Sequence, residues 1–336
     1  MKIDIFPHIF TQGYYDRMMT VSEAAAKYHK NRVRDLPMLV DLEMRFKVMD
    51  QHEGYTQFLT LAGPGIENFC DPKVSPELAR IANDGMAELC LKYPDRFMGF
   101  AASLPMNNMD ACLKEVDRAI TQLGARGVQI FTNVNGRPLD EVEFRPLFKK
   151  MAEYDFPIWL HPARPATFPD YQNESHSRYE LWWVFGWPYE SSIAMSRLVF
   201  TGIFDELPNL KIITHHLGAM IPYFEGRIGP GLDILGSRTP AHDKHLWEHS
   251  LKQRPIDYFR KFYADTAVSG PGAMECGIAF FGVDNVVYGS DMPFDHEGGA
   301  FNVRETMRSL DCCTLAPSDR VKIYETNARK LIKIPR

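Results

Sequence analysis

Short apolar runs recur along the whole chain, and the stretches between them carry the start and stop signals of helices. Ile158-Trp159-Leu160 and Val286-Val287-Tyr288 are apolar without alternation, as expected of parallel strands covered on both faces. Eight such segments are placed near residues 2–8, 56–62, 97–103, 126–131, 157–161, 211–216, 262–266 and 285–290. Ser75-Pro76-Glu77 combines an N-capping residue, a proline for the first turn and an acid, which predicts a helix running to about Tyr93. Asn108-Met109-Asp110 opens another that ends near Gly124. This alternation predicts an α/β fold, a (β/α)8 TIM barrel, with its site at the carboxyl ends of the strands.

Two stretches interrupt the alternation. Residues 11–45, rich in Lys, Arg, Met and Tyr, read as a helical excursion after the first strand; residues 163–190, rich in Pro and aromatics, follow the fifth. Insertions that follow barrel strands are expected over the carboxyl-terminal mouth, where they shape specificity. With no repeat, low-complexity tract or linker, residues 1–336 read as one barrel domain.

The strand ends carry the candidate chemistry. His8, His161, the pair His215-His216 and Asp291 all lie at carboxyl ends of predicted strands, so a barrel would bring them together at its mouth. Ligands drawn from such distant elements suit a catalytic metal with an open position, whereas structural zinc gathers its ligands in close pairs. Pro162 cannot continue a ladder, which sets His161 at the end of its strand, and a carboxylate at Asp291 must find a cation or hydrogen-bond donors. Successive strand residues face opposite ways, so one member of the His215-His216 pair is expected to face the axis. Asp295-His296-Glu297, next to Gly298-Gly299, reads as a solvated turn or part of the rim.

Composition narrows the partners more than the fold. Hydrophobic residues make up 45% and charged residues 24%, ordinary globular usage. No run reaches the ~20 apolar residues that cross a bilayer, and the amino terminus has no apolar h-region, so a cytoplasmic protein with no membrane partner is expected. The 38 Lys and Arg are scattered and outnumbered by 43 Asp and Glu, which argues against nucleic acid. Six cysteines without a C-x2-C pair read as free thiols in or near the core; adjacent Cys312-Cys313 seldom meet disulfide geometry.

Taken together, Lys2-Ile3-Asp4 with His8, Pro157-Ile158-Trp159-Leu160-His161-Pro162, His216-Leu217-Gly218-Ala219-Met220-Ile221-Pro222 and Tyr288-Gly289-Ser290-Asp291-Met292-Pro293 resemble the amidohydrolase superfamily. The branch they look like contains aminocarboxymuconate-semialdehyde decarboxylase and γ-resorcylate decarboxylase. The resemblance implies His8, His161 and Asp291 as metal ligands and His216 and Asp291 as catalytic residues. It also implies Arg227 and Lys47 as anion-binding positions, and a homodimer or higher homo-oligomer. Trp187, in Trp182-Trp183-Val184-Phe185-Gly186-Trp187, would offer a flat apolar substrate a face. His215 falls where relatives often have Gly and is given no role.

One position departs from the pattern. The first strand of the family usually ends His-x-His or Glu-x-His with both outer residues on the metal, and here the first of them is Phe6, which has no lone pair to donate. The expectation is one divalent ion, zinc first with manganese or magnesium as alternatives, or no metal at all. The leading function is a metal-assisted non-oxidative decarboxylase of a small aromatic or unsaturated carboxylic acid. A hydrolase of a lactone, ester or amide, with or without metal, is the alternative, and a barrel that has lost catalysis and serves binding is the third.

Overall fold

The computed structural model describes residues 1–238, 251–267 and 270–334. β1 (Lys2–Asp4) pairs in parallel with β2 (Tyr55–Leu61), and β2 with β3 (Phe97–Phe100). A continuation of β3, Ala102–Ser103, pairs with β4 (Val128–Phe131). Then β5 (Ile158–His161), β6 (Ile212–Thr214), β7 (Tyr263–Asp265) and β8 (Val286–Val287) follow in order, all parallel. The ring closes where the Ile5 amide donates to the Tyr288 carbonyl and the His8 amide to the Met292 carbonyl. The expected (β/α)8 barrel is therefore the observed fold, with strands shorter than expected where their last residues turn into the mouth.

Alternation along the strands separates two apolar layers. Ile3, Phe58, Trp159, Ile213 and Val287 point inward and form the barrel interior, with Ile5, Phe6 and Leu331 completing it. Trp159 stacks on Phe58 at 5.0 Å between ring centroids and donates its indole N–H to the Ile5 carbonyl, so the interior is filled rather than open. Their neighbours Ile158, Leu160, Ile212 and Val286 pack outward against the helices.

Ser75 is not the N-cap that its motif suggests. It lies inside the helix Ser75–Lys92, with its hydroxyl turned to Asn107, while the preceding turn is tied by Asp71, which accepts from the Lys73 and Val74 amides. Asn108 does cap the helix Met109–Thr121 by accepting from the Ala111 amide.

Both insertions reach the mouth. The first forms α1 (Gln12–Val21), α2 (Glu23–Asp35) and α3 (Leu42–Met49). From α2, Tyr28 donates to the Gly63 carbonyl just past β2, and the Arg32 guanidinium lies 4.4 Å over the ring of Phe294, past β8. The second insertion leads through a loop into the helices Leu181–Val184 and Gly186–Phe200. There the Trp187 ring packs edge-on to His161 at 5.5 Å.

Candidate active site

Hydrogen bonds on one nitrogen of each imidazole decide what the other offers. The Thr60 hydroxyl donates to the Pro7 carbonyl at 2.8 Å, so towards His8 Nδ1, 3.1 Å away, it accepts, and His8 Nε2 is left with the lone pair. His161 Nδ1 donates to the Pro162 carbonyl at 2.7 Å. His215 Nδ1 donates to the buried Asp265 carboxylate, whose other oxygen accepts the Ala267 amide at 2.9 Å. Ligand atoms of His8, His161 and His215 lie within 4.8 Å of one another, and Nε2 of His8 and of His215 finds no hydrogen-bond partner among the described residues.

Asp291 faces this cluster from beyond β8. Its Oδ1 lies 3.2 Å from His8 Nε2 and 3.5 Å from His215 Nε2, and its Oδ2 lies 3.6 Å from His216 Nε2. The buried Asp4 carboxylate sets the base of this loop by accepting from the amide and hydroxyl of Ser290, from the Tyr55 hydroxyl and from the Phe6 amide. The expectation that only one of His215 and His216 would face the axis is corrected. The strand ends at Thr214, and His216 and Leu217 take φ of 55° and 51°, a left-handed turn that swings the second imidazole to Asp291 as well. Strand alternation does not extend past the last paired residue.

Imidazole lone pairs and a carboxylate that face one another require a cation or a proton between them. Burial lowers the pKa of His8, and burial together with the neighbouring imidazoles holds His161 well below the usual value. Burial also opposes charge on His215, but the Asp265 and Asp291 carboxylates outweigh it and raise that group to about 9. Burial and the charge of His215 lower His216. Burial alone would raise Asp291, yet its contacts with His215, His216 and His8 hold it well below the usual carboxylate range. Without metal, a proton on His215 satisfies Asp291; a divalent ion would satisfy His8, His161, His215 and Asp291 together. The donor set, with its orphaned buried nitrogens, fits such an ion.

The other expected residues divide. Trp187 stands at the cluster, 5.5 Å from the His161 ring and 6.4 Å from that of His216. Lys47 on α3 and Arg227 on the helix Glu225–Asp233 are both exposed, and neither bonds to the cluster among the described residues. Two residues before Lys47, Arg45 is fully buried and donates to the carbonyl of His8 and to Gln57, a purely supporting role. Arg32 went unnoticed in the sequence. Its Nε is buried without a hydrogen-bond partner among the described residues, and Phe294, which it covers, packs 5.2 Å from the His8 ring. Glu67, just past β2, is 3% exposed and joins no ion pair among the described residues; burial pushes its carboxyl up to about 7. Asp295 accepts amides of Glu297, Gly299 and Asn302, the turn expected there. The six cysteines are free, Cys112 and Cys313 buried and Cys312 exposed.

The sequence profile described as Amidohydrolase matches residues 29–334. The chain is 33% identical over 314 residues to gamma-resorcylate decarboxylase of Rhizobium radiobacter, covering 88% of each. It is 28% identical over 258 residues to 2-amino-3-carboxymuconate-6-semialdehyde decarboxylase of Dictyostelium discoideum, covering 76% of this chain and 67% of that one. The crystal structure of dihydroxybenzoic acid decarboxylase from Polaromonas sp. JS666, with bound manganese and the inhibitor 2-nitroresorcinol, superposes with a TM-score of 0.76 at 25% identity, covering 100% of this chain and 97% of that one.

Proposed function

Since the chain belongs to the amidohydrolase family, we propose that it is a metal-assisted, non-oxidative decarboxylase of a small aromatic or unsaturated carboxylic acid. The observation that carries this reading is the convergence of imidazole nitrogens on the Asp291 carboxylate at the barrel mouth, beside an aromatic wall. His8, His161 and Asp291 would hold a divalent ion. When bound, that ion would supply Lewis acidity to a phenolate or carbonyl oxygen conjugated with the reacting carbon, the sink for the electron pair released as carbon dioxide leaves.

The chain's own residues do the rest. Trp187 gives a flat ring a face to stack on, next to His161 and His216. Arg32, on α2 over Phe294, would hold the leaving carboxylate, which a guanidinium fork suits. The exposed Arg227 and Lys47 would reach substrate only by way of a second subunit or a lid movement. In the reaction one proton is added to the carbon that loses its carboxylate; the carbon–carbon bond breaks, and the products are the protonated ring and carbon dioxide. Asp291 and His216, 3.6 Å apart, would relay this proton from solvent to the carbon.

A cytoplasmic homodimer completes the proposal. Among the described residues no helix is long and apolar enough to cross a membrane. The second insertion leaves Tyr171, Tyr179, Trp183 and Phe185 exposed beside the mouth, a surface that a second copy would cover. The test is carbon dioxide release from a panel of hydroxybenzoates that includes 2,6-dihydroxybenzoate, before and after chelation, with metal content measured in the wild type and in His161→Ala. Turnover that chelation abolishes, and metal that His161→Ala loses, are expected. Ring opening of a lactone without carbon dioxide would replace this reading with hydrolysis.

A further inference from the structure

His215 is the buried group that the proposed ligand set leaves unused. It is wholly buried, its Nδ1 is fixed on Asp265, and its Nε2 is orphaned 3.5 Å from Asp291. Fixing Nδ1–H on a carboxylate is how proteins prepare the opposite nitrogen to ligate a metal, since it sets the tautomer, the ring orientation and the basicity. Asp265 in turn accepts the Ala267 amide on Oδ1 and serves His215 through Oδ2, with no other side-chain hydrogen bond among the described residues.

Phe6 explains why an imidazole is wanted from this side. Its ring lies flat against that of His215, with centroids 3.9 Å apart and planes 17° apart, and within 5.6 Å and 6.1 Å of the rings of His8 and His161. The benzene ring thus floors the cluster where β1 runs up to it. It has no lone pair and buttresses the face of the ring that does. His8, His161 and Asp291 alone leave the β6 side of the cluster filled by a nitrogen with no task.

Building on the decarboxylase reading, we propose that His215, oriented by Asp265, is a fourth protein ligand of the divalent ion, entering from β6 in exchange for the ligand that Phe6 does not supply from β1. The resulting set is three imidazoles and one carboxylate. Nitrogen-rich sets favour zinc over manganese, whereas carboxylate-rich sets suit manganese and magnesium. This chain is therefore expected to select zinc, in contrast to the manganese held by the Polaromonas structure.

The test needs no substrate: affinities for Zn(II) and Mn(II) alone, by competition with a chromophoric chelator, on protein stripped of metal. Asp265→Asn keeps the shape but makes the side chain a donor to Nδ1, which moves the proton to Nε2 and should weaken zinc about 10- to 100-fold. His215→Asn should weaken it further. The double variant F6E/H215G, which returns a ligand to β1 and removes the one on β6, should recover binding with the preference shifted towards manganese. Thermal melts of each apo protein separate lost ligation from lost folding. Zinc affinity unchanged in both His215→Asn and Asp265→Asn would overturn the proposal. So would wild-type protein that binds neither ion, with His215 doubly protonated at pH 7 by nitrogen NMR. Loss of decarboxylation with ligation intact would instead count against the reaction alone.

Discussion

Glu67 gives the stability of this barrel a pH dependence whose sign and size follow from its burial. The carboxyl sits just past β2 at 3% exposure, and burial raises it from 4.5 to about 7. The folded protein therefore binds a proton here that the unfolded chain releases. Its contribution to stability is fully present below pH ~4.5, falls as pH rises towards ~7, and is absent above that. A rise of about 2.5 units at 1.36 kcal/mol per unit makes the loss about 3 kcal/mol. Glu67→Gln keeps the size and polarity and removes the titration. Urea unfolding of both proteins between pH 4 and pH 8 isolates the effect, because every other titrating group is common to them. The variant should gain on the wild type progressively, by about 3 kcal/mol across the range. A constant offset at every pH would mean that the carboxylate finds a partner or water on ionising, and the reasoning from burial would fail.

Two further substitutions probe the mouth. Arg32→Ala should raise KM about 10- to 100-fold with a smaller change in kcat, as expected for loss of a charged hydrogen-bonding pair to substrate, and Arg32→Lys should restore little of it; an unchanged KM would remove Arg32 from the site. Gly277→Ala would place a Cβ 2.2 Å from side-chain carbons of Leu217, in the turn that carries His216, so denaturation should show a cost of about 1–3 kcal/mol and activity should fall with it; full activity would show that the turn shifts without moving His216.

The eight strands and the ends that bear His8, His161 and Asp291 were legible because buried parallel strands write themselves as apolar runs and a barrel delivers their carboxyl ends to one place. His215 was not legible as a participant. Alternation identifies it as inward-facing only once Ile213 is known to be inside, and a rule for strands says nothing about a left-handed turn that brings in His216 too. Asp265 could have been found by the rule that found the others, since it is a carboxylate at the end of the seventh strand. Arg32 could not: it lies in an inserted helix whose docking depends on contacts with Gly63 and Phe294, which no local pattern encodes. The same gap separates Lys47, exposed on α3, from Arg45, buried on the same helix.

The junction of β1 and β8 couples the site to the order in which the molecule is made. The Ser290 amide meets Asp4 across 286 residues of sequence, and His8 and Asp291 stand on opposite sides of that seam. A growing chain can arrange β1 through β6 and the turn that follows, with all four imidazoles, long before the carboxylate emerges to face them. The last event in closing the barrel is thus also the one that completes the constellation. Whatever His8 and Asp291 hold in common acts as a clasp on the seam, so occupancy and closure must rise and fall together.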